Sequence, residues 1–158
     1  MKRRNLDLTT GAEVIAEINR LRSTGYSKTK NWNLAQICQH LSVVLKGGMD
    51  GFGFRLPWIL RATVLKWGFG YMTKKRKLFP SAPTFPSMKP KAMTEDNDAD
   101  IQQCIALIER AETFDGSMED YALLDNMTPD AWREFMWIHA AHHLSYLVPK
   151  QSRQEAKL

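Results

Sequence analysis

The chain has 158 residues, 44% of them hydrophobic and 25% charged, with a formal net charge of +5. These are the proportions of one globular domain long enough to bury a core. They exclude a disulfide scaffold, since the two cysteines, Cys38 and Cys104, sit inside apolar periodic segments and suit a reducing compartment.

The opening "MKRRNLDLTT" is basic but has no apolar h-region behind it, so no signal peptide is expected. Residues 1–8 and 150–158 read as flexible ends of a single domain spanning 1–158. The first helix is expected over Thr10 to Arg22. Thr10 and Glu13 form a capping-box pattern, Val14, Ile15, Ile18 and Leu21 recur at helical spacing, and Gly25 follows the end. A second helix runs from Asn33, a capping residue, to Lys46, with Gly47-Gly48 as terminators. "GGMDGFGF" lacks the spacing and the preceding strand of a nucleotide loop and reads as a turn.

A third helix starts at Pro57 and fades between Tyr71 and Lys77, weakened by Gly68 and Gly70. Its stretch "PWILRATVLKWGFGYM" is broken by Arg61 and Lys66 and is too short to span a bilayer, which points to a cytoplasmic protein with no membrane partner. The run Lys74-Lys75-Arg76-Lys77 reads as a solvated helix end next to the negative pole of the helix dipole. No aromatic-interleaved basic motif accompanies it, so nucleic-acid binding is the weakest functional reading.

"FPSAPTFPSMKP", residues 79 to 90, holds four of the seven prolines and reads as an extended crossover. A fourth helix is expected over Asp98 to Glu112, with Ile101, Cys104, Ile105 and Ile108 on one face. The last begins at Thr128-Pro129-Asp130, a cap, a first-turn proline and an acid, and stops before Pro149. No segment alternates like a strand. The fold class is all-α: about four core helices with one long crossover. Most of the five tryptophans are expected in that core.

Three of the four histidines lie in "WIHAAHHLSYL" on the last helix. At 100° per residue, His139 and His143 share a stripe with Trp132, Phe135, Met136 and Tyr146, while His142 falls toward its edge. Two buried imidazoles cost free energy unless their nitrogens find partners. Their i, i+4 spacing lets both rings grip one metal ion, and a third ligand could come from a facing helix, where His40 is the one remaining histidine. Two ligands from one helix and one from another leave a coordination position open. A hydrogen-bonded core pair is the competing reading. Ala140 and Ala141 follow His139, so the helix carries no glutamate of the zinc-protease HExxH kind, which argues against that chemistry.

"NWNLAQICQHL" and "HAAHHLSYL" resemble the two signature segments of the DinB/YfiT-like metalloenzymes, and more narrowly a bacterial branch whose final helix carries H-x-x-H-H-L. The resemblance covers the chain from the first helix to Pro149. It implies a DinB-like four-helix bundle with a long Pro-rich crossover and a short additional helix. It also implies a divalent metal held by His40, His139 and His143, with His142 as alternative or supporting group. Zinc is the default for histidine ligands, with nickel or iron as alternatives. Relatives of this kind include thiol-dependent transferases and isomerases, so the implied partners are a small-molecule substrate, a low-molecular-weight thiol and a second copy of the chain in a homodimer. One departure stands out: the branch's H-P-x-F-G segment before the last helix is here "YALLDNMTPDAW", with no histidine. That leaves a non-catalytic bundle with a structural or vestigial metal site as the alternative to an enzyme.

Overall fold

A computed structural model describes residues 2–79 and 84–150. The chain is mostly helical, with five helices and two short strands among these residues. Helix α1 is Gly11–Thr24, opened by Thr10 and Glu13 in the expected capping box. Strand β1 is Tyr26–Lys28, and α2 is Leu34–Asp50, capped by Asn33. Helix α3 is one continuous rod made of Trp58–Leu60, a π-helical stretch Arg61–Leu65, and Lys66–Lys75. Helix α4 is Asp98–Glu112, α5 is Pro129–Leu144, and β2 is Leu147–Pro149.

Two expectations about the secondary-structure elements are corrected. Helix α2 does not stop at Gly47-Gly48 but runs on to Asp50 and ends at Gly51, whose φ of 94° favours glycine. The glycine pair serves close approach instead. A Cβ on Gly47 would collide with the Phe52 ring, and one on Gly48 with the Trp132 indole. The second correction is the strand pair, antiparallel with Tyr26 opposite Pro149 and Lys28 opposite Leu147. Three residues a side are too few for alternation to register in the sequence.

The core draws on α1, α2, α4 and α5. Helix α2 lies along α4 and against α5, α1 touches both α4 and α5, and α3 packs on α5. Val14, Ile18 and Leu21 of α1, Leu34, Leu41 and Leu45 of α2, Ile101 and Ile108 of α4, and Trp132, Met136 and Leu144 of α5 are all buried in it. Cys38 and Cys104 are free and fully buried where α2 meets α4. Of the tryptophans, only Trp132 and Trp137 are buried; Trp32 is half-buried, and Trp58 and Trp67 stand exposed on α3. Residues 2–8, expected as a loose end, run back against α5: Arg4 donates its backbone N–H to the Ser145 carbonyl and pairs with buried Glu17 at 2.6 Å. Residues 151–158 and Pro80 to Pro83 of the crossover lie outside the described residues.

The strand pair pins the chain after α5 to the loop after α1. Thr29 then donates both its N–H and its hydroxyl to the Tyr146 carbonyl, at 2.8 and 2.9 Å. That fixes residues 29–32 over the C-terminal half of α5, where the histidines are. No helix among the described residues is long and apolar enough to cross a membrane.

Candidate metal centre

His40 projects from the middle of α2, and His139 and His143 from successive turns of α5. The three rings converge. His139 Nε2 lies 3.1 Å from His40 Nε2 and 2.9 Å from His143 Nε2. One ring nitrogen from each of the three lies within 4.8 Å of the other two. His40 and His139 are buried and His143 is half-buried.

Protons alone do not satisfy this arrangement. His40 Nδ1 sits 2.8 Å from the Met88 carbonyl, an acceptor, so a neutral His40 carries its proton there and presents a bare lone pair at Nε2. His139 Nε2 then has either one proton or one lone pair to offer two close neighbours, and neither choice completes both contacts. His139 Nδ1 is buried with no partner at all. Charging the rings is unfavourable as well. Burial, followed by the neighbouring histidines, holds His139 and His143 well below the ordinary imidazole range. Burial also lowers His40, against the pull of the Met88 carbonyl. Three neutral imidazoles thus aim lone pairs at one point, which is the donor set of a borderline cation. With metal–nitrogen bonds of about 2.0–2.1 Å, two such ligands sit roughly 3.0–3.4 Å apart, close to the spacing found.

His142 does not join them. It sits at the edge of the cluster, its ring edge-on to His143 and to Tyr146 and its Nδ1 3.3 Å from the Arg3 guanidinium. Burial, then Arg3 and Lys30, push it down to about 4. Arg3 also donates to Ser145 Oγ at 2.6 Å and to the Tyr146 hydroxyl at 3.2 Å, so His142 belongs to a bonded cluster beside the centre.

Two cavities meet at the histidines. A small one of about 140 Å³ is lined by all four of them, by Phe52, Phe85 and Phe135, and by Tyr121. A larger one of about 450 Å³ is bounded by Lys30, Asn31, Trp32 and Tyr146, and shares Thr84, His142 and His143 with the first. Trp32 stacks on His143 with ring centres 5.5 Å apart, and so forms pocket wall. The described part of the crossover covers the centre: Phe79, Thr84, Phe85 and Met88 all line the small cavity.

Over residues 1–150 the sequence matches the family described as "Protein of unknown function (DUF1569)". The chain belongs to the DUF1569 family. No curated protein and no solved structure matches it.

In this DUF1569 chain three participants escaped the sequence. The Met88 carbonyl is a backbone group in a proline-rich stretch, invisible to any motif. Arg3 reads as one charge of a basic, flexible end, and only its contacts with His142, Ser145 and Tyr146 show that it reaches the end of α5. Tyr121, the first residue of "YALLDNMTPDAW", lines the histidine cavity with its hydroxyl buried and unpartnered. Its one signal was that it opens the stretch lacking the expected histidine.

Proposed function

We propose that the protein is a divalent-metal-dependent enzyme of the DinB/YfiT-like kind, with His40, His139 and His143 as ligands and an open position facing the two cavities. The observation that carries this reading is the convergence of three neutral Nε2 atoms that no set of protons satisfies. We read α1, α2, α4 and α5 as the four-helix bundle of that superfamily, with residues 79–90 in its crossover; α3, which runs Trp58–Lys75, is longer than the short additional helix expected. A cytoplasmic location and a homodimer belong to the same proposal.

Zinc is the first candidate ion, with nickel or iron next. Bound there, the ion supplies Lewis acidity, lowering the pKa of a thiol or water that fills the open position. The chain's own groups do the rest. Trp32 and the phenylalanines exclude water, the Met88 carbonyl fixes the tautomer and direction of His40, and Lys30 gives the larger cavity a positive charge suited to the carboxylates of low-molecular-weight thiols. We therefore favour thiol transfer to an electrophile over hydrolysis.

Elemental analysis of protein purified without chelator, beside a His139→Ala/His143→Ala variant, tests the reading. About one equivalent of metal in the parent and almost none in the variant supports it. Almost none in both overturns it, even after incubation with zinc, nickel or iron salts. Metal that is bound but leaves thiol consumption by an electrophile such as a haloarene unaccelerated would leave a structural site.

A further inference from the structure

From Gly51 to Thr94 the chain carries nine lysines and arginines and no aspartate or glutamate, so at a net charge of +5 the remainder is net acidic. The three arginines of this segment are engaged: Arg55 with Asp120 and Asp125, Arg61 with Asp125, Arg76 with Asp7 and Glu134. The six lysines are not. Lys66, Lys74, Lys75, Lys77, Lys89 and Lys91 are exposed and form no ion pair among the described residues.

The same segment holds nine of the ten large apolar side chains exposed among the described residues, Val43 being the exception. They concentrate on α3. Leu65 and Phe69 hold that helix to the core, Phe69 against Phe135 with ring centres 5.1 Å apart. Away from these contacts the helix is bare: Val64 and Trp67 are 66% and 71% exposed with Tyr71 stacked on Trp67, and Trp58 in its first turn is 67% exposed. Scattered exposed apolar residues need no explanation, but one helix that leaves two tryptophans about two-thirds bare does.

We propose that α3 seats the protein on an anionic lipid surface, its tryptophans and Val64 entering the headgroup boundary while the free lysines meet lipid phosphates. The chemistry matches on both counts: amphipathic aromatic rings favour the membrane interface, and unpaired lysines near an anionic leaflet add attraction. A second copy docked by the same face would oppose two lysine-rich surfaces with no acid to answer them. The broken apolar stretch that rules out a span does not bear on a helix lying in the interface. Phe79, stacked on Tyr71 at 5.4 Å, and Phe85 belong both to this exposed face and to the lining of the histidine cavity, so seat and site share a border. Lipid binding of this kind needs no property of the histidines.

The test is sedimentation of the full chain with phosphatidylcholine vesicles, alone or with about a third phosphatidylglycerol, at moderate salt. The protein is expected to pellet with the anionic vesicles and to stay in solution with the neutral ones. Each lysine near the surface contributes roughly fivefold, so Lys74→Gln/Lys75→Gln/Lys77→Gln should weaken binding by about a hundredfold. Trp67→Ser/Val64→Ser should weaken it by about tenfold or more. Both variants sit on an exposed face, and an unchanged melting curve checks that they fold. Failure to pellet overturns the proposal, as does equal binding to both vesicles. So does a solution dimer that Val64→Glu dissociates, which would show a second copy covering the face.

Discussion

Replacing His139 by leucine separates a metal centre from a hydrogen-bonded core pair. In the structure His139 is buried, its Nδ1 has no partner, and its Nε2 cannot serve both His40 and His143. An unsatisfied buried polar atom costs about 1–3 kcal/mol, and a side chain of similar size that carries none removes the cost. The shape change from a flat ring to a branched chain takes back up to about 1.5 kcal/mol. Without metal, His139→Leu should therefore be as stable as the parent or more so, by up to about 2 kcal/mol, which in a chain of this length is a rise of about 4–8 °C in Tm. With metal the order should reverse. An ion present at a hundred times its Kd stabilises the parent by about 2.7 kcal/mol and leaves the variant unmoved. Scanning calorimetry of both proteins, in chelator and in excess zinc or nickel, reads all four values. If His139→Leu loses more than about 1 kcal/mol in chelator and the parent gains nothing from metal, the histidines are satisfied core residues and the metal reading is wrong.

Acid should destabilise the metal-free protein early. All four histidines have lowered folded-state values while the unfolded chain protonates them near 6.5, so the unfolded state binds more protons between the two; stability is full above 6.5 and falls as the pH drops toward about 4, where His142 also charges. Denaturant midpoints measured across that window check it, and a flat profile would mean that the rings are solvated. Gly48→Ala should cost about 1 kcal/mol, because overpacking against buried Trp132 (about 1–3 kcal/mol) outweighs the helix-propensity gain of roughly 1 kcal/mol. Gly70→Ala on exposed α3, where the new Cβ meets nothing, should instead stabilise by about 0.5–1 kcal/mol; equal effects in urea titrations would contradict the packing around α2. Tyr121→Phe removes an unpartnered buried hydroxyl, so the metal-free protein should gain about 1 kcal/mol in a urea titration; a destabilised variant would reveal a hydrogen-bond partner for that hydroxyl.

The helices were legible wherever a cap coincided with apolar periodicity. Thr10, Asn33 and Thr128 each accept the backbone N–H that their patterns promised. The end of α2 misled because Gly47 and Gly48 serve neighbours that are distant in sequence or contacted from the side, and local chemistry cannot distinguish a terminator from a close approach. At the site, the i, i+4 pair on α5 is a local property and His40 follows from its apolar setting and its scarcity. The Met88 carbonyl, Arg3 and Tyr121 enter only through tertiary contacts, so no spacing rule finds them. The exposed tryptophans on α3 show the converse: their residue types point to a core, and only the packing reveals which face is left bare.

The most direct test of the centre is cobalt substitution, which reports ligands and vacancy together. Protein loaded with one equivalent of Co(II) is expected to show the visible bands of a nitrogen-ligated ion. A low-molecular-weight thiol should then add sulfur-to-cobalt charge-transfer absorption in the near ultraviolet, and His143→Ala should abolish both signals. A cobalt spectrum indifferent to thiol, or no spectrum beyond that of the free ion, would contradict an open three-histidine metal centre.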